Sequence, residues 1–195
     1  MSTLDYYNKN AQHYFETTVG APMKQQYDLF LKYFKGGRLL DLGCGSGRDS
    51  KFFKDLGFDV TAVDGSEEMC KLAREYTGLD VKCLNFIDLR EIGYYDGIWA
   101  CASLLHVDRR FLLDVLKKTR DALKQSGYMY AALKNGEGEE VTPEGRYFNY
   151  VTYDKFEELT NLAGLQIVDF YSGKSVSNPN ETRYWNNFMF KKVKM

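Results

Sequence analysis

No apolar run in this sequence approaches the ~20 residues that crossing a bilayer requires. Its first residues, Met-Ser-Thr-Leu-Asp-Tyr-Tyr, have neither a basic start nor an apolar stretch. No secretory signal is read there, and a cytoplasmic protein is expected. An excess of charge is missing too. The 26 Lys and Arg against 27 Asp and Glu leave a net charge of −1, with no general attraction to nucleic acid or an anionic membrane. Cys44, Cys70, Cys83 and Cys101 form no Cys-x-x-Cys pair. They read as small fillers in a reducing compartment rather than as disulfides, and no metal site is expected. There is no internal repeat and no low-complexity linker, so residues 1–195 are expected to form one domain.

What the chain does have is aromatic bulk, with 15 Tyr, 13 Phe and 2 Trp. Such residues pack cores and line pockets for flat ligands. The most informative stretch runs from Arg38 to Arg48. Leu39, Leu40 and Leu42 read as a short buried strand, Gly43, Gly45 and Gly47 follow at every second position, and Asp49 to Leu56 reads as a helix. Strand, glycine turn and helix make the front half of a nucleotide-binding βαβ unit. Glycine allows a tight turn and close approach to a ligand, and the helix N-terminus directs N–H groups toward it.

The next acid of interest is Asp64, which ends Phe58-Asp59-Val60-Thr61-Ala62-Val63-Asp64. It follows Gly45 at close to the spacing of ~20 residues expected of a carboxylate that grips a ribose. The G-x-G-x-x-G of a dehydrogenase is not present. Asp41 instead enters the turn, which is poor company for a pyrophosphate and suits a cationic or zwitterionic ligand. S-adenosylmethionine (SAM) carries an amine, a sulfonium and a ribose but no phosphate.

On the Asp41-Leu-Gly-Cys-Gly-Ser-Gly turn and Asp64-Gly-Ser, the chain resembles small class I SAM-dependent methyltransferases, particularly the bacterial small-molecule and tellurite-resistance-like type. The resemblance is firm over residues 36–134. It implies a Rossmann-like, doubly wound α/β sheet of seven strands, mostly parallel with an antiparallel last strand, and helices on both faces. It implies SAM as cofactor, S-adenosylhomocysteine as product, a small-molecule acceptor as partner, and a monomer or homodimer. Residues 1–35 would form a helical lid, marked by Tyr6, Ala11 and Tyr14. Residues 135–195 would supply the acceptor side.

Site residues carry over position by position. Asp41 would lie near the ligand's ammonium, and Gly43 and Gly45 would offer backbone contacts. Arg48 would pair with the methionine carboxylate. Asp64 would accept from the two ribose hydroxyls, since a carboxylate has two oxygens to do so. Gly65 and Ser66 would lie against the adenine, with Ser66 also capping the next helix. Asn85 would accept from the adenine amino group where the family often has an acid, and Phe86 would offer its N–H. Cys101 and Tyr14 are also placed on the cofactor side. Asp49 reads as a helix-start residue.

Leu79 to Leu84 is expected as a third strand and Tyr95 to Ala102 as a fourth, leading into Ser103-Leu104-Leu105-His106. His106 stands where the family often has Leu-x-His, as a general base or a substrate partner, or as a structural histidine at a strand end. Asp108 should cap a helix, Tyr128 to Leu133 should be a fifth strand, and Leu165 to Phe170 a sixth. The polar, then aromatic segment after Lys134 reads as a loop lining the acceptor pocket. Tyr147 is a catalytic and substrate-side candidate. Tyr6, Lys134, Arg146 and Trp185 are substrate-side candidates, with Arg183 beside the last strand, Tyr184 to Lys192. An RNA or protein methyltransferase and a non-catalytic SAM-binding protein are the alternatives. Neither a basic run nor an Asn-Pro-Pro-Tyr-like motif supports the nucleic-acid reading; Cys101-Ala102-Ser103-Leu104 stands after the fourth strand instead.

Overall fold

The computed structural model describes residues 2–174 and 184–193. Arg183 and all but the first three residues of a loop expected from Ser172 to Thr182 lie outside the described residues; Ser172 to Lys174 are strand. Six helices are described: α1 (Thr3–Thr18), α2 (Lys24–Tyr33), α3 (Arg48–Asp55), α4 (Glu67–Thr77), α5 (Arg109–Ala122) and α6 (Tyr153–Ala163). The main sheet takes β1 (Arg38–Leu42), β2 (Asp59–Asp64), β3 (Lys82–Cys83), β4 (Tyr95–Cys101), β5 (Leu123–Lys134), β8 (Leu165–Lys174) and β9 (Tyr184–Lys192). Its spatial order is β3-β2-β1-β4-β5-β9-β8. The first five strands run parallel, and β9 lies antiparallel between β5 and β8. This is the mixed seven-stranded sheet expected from the sequence.

Strand periodicity divides the core between two faces. Leu40, Leu42, Ile98, Ala100, Met129 and Ala131 are buried on one face with Leu112, Leu116 and Phe156 from the helices. Their neighbours Leu39, Trp99, Tyr130 and Ala132 are buried on the other, with Phe30 from α2 and Phe53 from α3. Trp99 stacks on Tyr130 at 4.1 Å between ring centres and meets Phe53 edge-on at 5.1 Å. Asp41 shares the face of Leu39, which directs it under α3.

Several boundaries move. The third strand is only Lys82–Cys83, on the sheet edge with β2 as its single neighbour. β5 starts at Leu123, because Lys124–Gly127 stays extended and is absorbed as a register shift against β4. β8 continues past Phe170 to Lys174 along β9. The expected loop after Lys134 contains a hairpin, β6 (Glu139–Val141) with β7 (Tyr147–Asn149). Its turn is closed by the Thr142 N–H to the Arg146 carbonyl, 2.8 Å, and by the Arg146 N–H to Thr142 Oγ1, 3.2 Å. No helix among the described residues is long and apolar enough to cross a membrane.

Candidate active site

Strands β2 and β3 extend the sheet one way from β1, and β4 and β5 extend it the other way. The crevice at the carboxyl ends of β1 and β4 is therefore the topological switch point, where open α/β sheets bind ligands. Gly43 lies there at φ +83°, and a Cβ on it would stand 2.4 Å from the Cβ of Ser103. Only a glycine lets the two strand ends come this close. The turn folds back so that the N–H groups of Gly43 and Cys44 both reach the Val63 carbonyl, 2.9 Å each. Asp64 then joins the two halves. Its carboxylate accepts from the Gly45 N–H and the Ser66 N–H, 2.9 Å each. Burial raises its pKa from the ordinary carboxylate value, while these N–H groups and that of Gly65 act to lower it.

Asp41 is brought to this end of the sheet, but beneath the turn. It is 1% exposed and accepts from the Ser50 hydroxyl at 2.5 Å. Burial, then the nearby Asp49 charge, pushes its pKa up. Asp49 is more than a helix-start residue. Its buried carboxylate accepts from Tyr27 Oη at 2.6 Å, from Trp99 Nε1 at 2.9 Å and from Arg48 Nε and Nη2 at 2.6 and 2.8 Å. It thus ties α2, α3 and β4 together. Arg48, expected to pair with a ligand carboxylate, makes this fork to its neighbour. A third contact runs from Arg48 Nη1 to the Thr18 carbonyl, 3.3 Å, at the end of α1. Sequence order hid the arrangement, because Arg48 and Asp49 are adjacent and neighbours on a helix do not ordinarily face each other. Cys101 ends β4 beside these charges, and burial pushes its thiol pKa up.

Helix α1 lies over the crevice. It bends at Asn10, whose side-chain amide donates to the Tyr6 carbonyl at 2.8 Å and competes with the helical pattern. The Tyr14 ring edge sits 3.5 Å from the position of a Cβ on Gly45, and Leu4 sits 2.8 Å from that of a Cβ on Gly65. Ser66 does cap α4, accepting from the Met69 N–H at 3.2 Å and donating to Asn8 Oδ1 at 2.7 Å. Its hydroxyl is thus committed to α4 and α1. Asn85 precedes a short 3-10 turn, and its Oδ1 is 3.5 Å from the Gly65 Cβ position. The Phe86 ring reaches Gly43 from the same side.

The residues expected on the acceptor side gather around His106. Its Nδ1 lies 2.7 Å from the Tyr147 carbonyl and its Nε2 lies 2.8 Å from Tyr7 Oη. A carbonyl can only accept, so Nδ1 carries the proton and Nε2 accepts from the Tyr7 hydroxyl. Burial lowers the His106 pKa to about 4, with Arg146 and Lys134 contributing. The imidazole is neutral near pH 7. Tyr147 contributes main chain rather than its side chain: its hydroxyl donates to the Glu139 carboxylate and accepts from the Arg109 N–H at 3.0 Å. The Tyr147 phenol, a catalytic and substrate-side candidate, is engaged by these two partners. The hairpin register, which no sequence pattern displayed, turns the ring toward β6 and the start of α5.

The other acceptor-side candidates converge. The Arg146 guanidinium lies 4.6 Å from the centre of the Tyr6 ring and 5.4 Å from that of Phe148. Lys134 Nζ lies 3.8 Å from the Phe148 centre, and Phe148 is 4.9 Å from the His106 ring. Trp185 pairs with Lys134 across β9 and β5. Sequence reading passed over Tyr7, Phe148 and Ser103. Tyr7 was visible only as one more aromatic of an amphipathic helix. Ser103 is 5% exposed, with a hydroxyl that has no hydrogen-bond partner among the described residues, and it faces Gly43. Ala102 before it holds φ +55°, the one positive φ outside glycine among the described residues. Its Ala-Ser setting in the sequence signals none of this.

The sheet order and crevice are those of the methyltransferase type of Rossmann-like fold. Residues 39–127 match the family described as a methyltransferase domain. An uncharacterized methyltransferase of Staphylococcus carnosus is 28% identical over 136 residues, covering 65% of this chain and 65% of that protein. A ubiquinone biosynthesis O-methyltransferase of Xanthomonas axonopodis pv. citri is 30% identical over 162 residues, covering 69% and 64%. The chain thus spans slightly less than two thirds of these two relatives. Among solved structures, the Burkholderia thailandensis 1,6-didemethyltoxoflavin-N1-methyltransferase, with 1,6-didemethyltoxoflavin and S-adenosylhomocysteine bound, superposes with a TM-score of 0.81. It is 20% identical, over 98% of this chain and 87% of that one, and shares its fold.

Proposed function

We propose that the chain is a SAM-dependent methyltransferase acting on a small-molecule acceptor. The observation that carries this reading is the crevice at the β1/β4 switch point, with Gly43 and Gly65 closely covered and the Asp64 carboxylate held at its rim by backbone N–H groups. The residues fit the cofactor. Asp64 has lone pairs left for ribose hydroxyls, Asn85 has an amide suited to a purine edge, and Ser103 offers a free buried hydroxyl. SAM, when bound, supplies a methyl group activated by a positive sulfur.

The rest of the work falls to the chain. Arg146 holds the acceptor beside Tyr7, which His106 orients, and α1 with the rest of residues 1–35 closes over it to exclude water. Orientation of this kind can account for ~7–11 kcal/mol of barrier lowering without a dedicated base. A ubiquinone biosynthesis O-methyltransferase among the relatives and a toxoflavin-type N-methyltransferase among the solved structures support a small-molecule acceptor. So does the net charge of −1.

Calorimetric titration with S-adenosylhomocysteine tests the reading, together with transfer of labelled methyl from SAM into a metabolite extract. Saturable binding is expected, weakened at least about tenfold by Asp64→Ala, a hydrogen bond to a charged group being worth ~1.5–3 kcal/mol. Wild-type protein that binds none of it ends the proposal.

A further inference from the structure

The acceptor side of the crevice holds a cation with an unsatisfied edge. Arg146 sits at the hairpin turn between β6 and β7, with its backbone tied to Thr142. Its guanidinium lies against the rings of Tyr6 and Phe148. Its Nε is buried without a hydrogen-bond partner among the described residues, and its charge acts on the Tyr7 hydroxyl, lowering a pKa that burial raises. Buried donors are almost always paired, so an unpaired one calls for an explanation, and a water, an ion or a ligand atom at that place would each supply it. A second cation, Lys134, lies over the same Phe148 ring. Both positive charges act on His106. The imidazole has both nitrogens engaged, so it orients Tyr7 rather than taking up an acceptor proton.

Resting on the methyltransferase reading, we propose that the acceptor is a small planar oxyanion, a carboxylate or an equally acidic ring hydroxyl. Arg146 and Lys134 hold its negative charge. A flat guanidinium matches a planar oxyanion through paired N–H donors, as an ammonium does not. The rings that flank Arg146 suit a flat body attached to that anion. An acceptor that arrives ionised has no proton to lose at that oxygen. This is consistent with a histidine already committed to two neighbours. Glu139 and Glu140 of the hairpin are occupied elsewhere, with Tyr147 and Tyr150.

Salicylate and salicylamide share a ring and differ in charge near pH 7, and serve as probes. Each is titrated into wild-type protein saturated with S-adenosylhomocysteine. Salicylate should bind at least about tenfold more tightly than salicylamide, the margin expected of charge-assisted paired hydrogen bonds. In Arg146→Gln the two probes should converge to within about twofold, and Arg146→Lys should recover part of the difference, since charge survives without the fork. Affinity for S-adenosylhomocysteine should stay the same in both variants, which shows that they fold. Equal affinity of the wild type for the two probes, or no binding of salicylate, overturns the proposal. Failure of S-adenosylhomocysteine itself to bind counts against the cofactor reading instead, and the two probes are then compared on the protein alone.

Discussion

The Tyr7 hydroxyl donates to His106 Nε2 at 2.8 Å across 99 residues of chain. Tyr7 also meets the Tyr14 ring edge-on at 5.1 Å, and Tyr14 lies over Gly45. An unbroken run of contacts therefore joins the glycine turn to His106 through one face of α1. Tyr7→Phe removes one hydrogen bond and leaves Nε2 buried without a donor, which costs ~1–3 kcal/mol. The midpoint of chemical denaturation should fall accordingly. Methyl transfer should fall as well, while S-adenosylhomocysteine affinity holds; loss of both together would place Tyr7 on the cofactor side.

His106 gives the fold a dependence on acid. Its folded pKa of about 4 lies below the ordinary value of 6.5. Between those values the unfolded chain binds more protons than the folded one, so stability drops as pH falls from 6.5 toward 4. The full difference would be about 3 kcal/mol at ~1.36 kcal/mol per pKa unit, and residual solvent contact reduces it. His106→Gln removes the titration but leaves Asp41 and Asp64 untouched. The stability gap between wild type and variant, measured by urea unfolding, should therefore narrow from pH 7 to pH 4. A constant gap would show an imidazole that is not buried neutral.

Gly43 and Gly57 separate strain from crowding. Both have positive φ, +83° and +87°, but a Cβ on Gly57 meets open space while one on Gly43 overlaps Ser103. Alanine at Gly57 should cost ~1 kcal/mol, from backbone strain alone. At Gly43 overpacking adds a further ~1–3 kcal/mol. Thermal unfolding of the two variants should show the larger drop for Gly43→Ala, with loss of S-adenosylhomocysteine binding as the strand ends separate.

Asp49 anchors four donors, and its removal leaves the Arg48 cation half-buried without its fork. Asp49→Ala should cost ~3–5 kcal/mol, the range for breaking a buried ion pair on one side. It should also loosen the end of α1, where Arg48 meets the Thr18 carbonyl. Hydrogen exchange over residues 14–19 together with urea unfolding checks both effects. A surface-like cost below ~0.5 kcal/mol would contradict the role assigned to this carboxylate.

The local pattern was enough to determine the βαβ start, the glycine turn, Asp64 at its proper distance, the caps of α4 and α5, and the last strand at Tyr184–Lys192. These follow from period, turn chemistry and capping, which act over a few residues. Tertiary structure alone decided which partners the charged groups choose. Arg48 turned to Asp49 because Trp99 and Tyr27 bring that carboxylate into the interior. Tyr147 turned its phenol to Glu139 because the β6–β7 register places the two together. Tyr7 became the partner of His106 because α1, kinked at Asn10, crosses the switch point. Pairings between distant residues are set by packing, and packing leaves no period in the chain to be read.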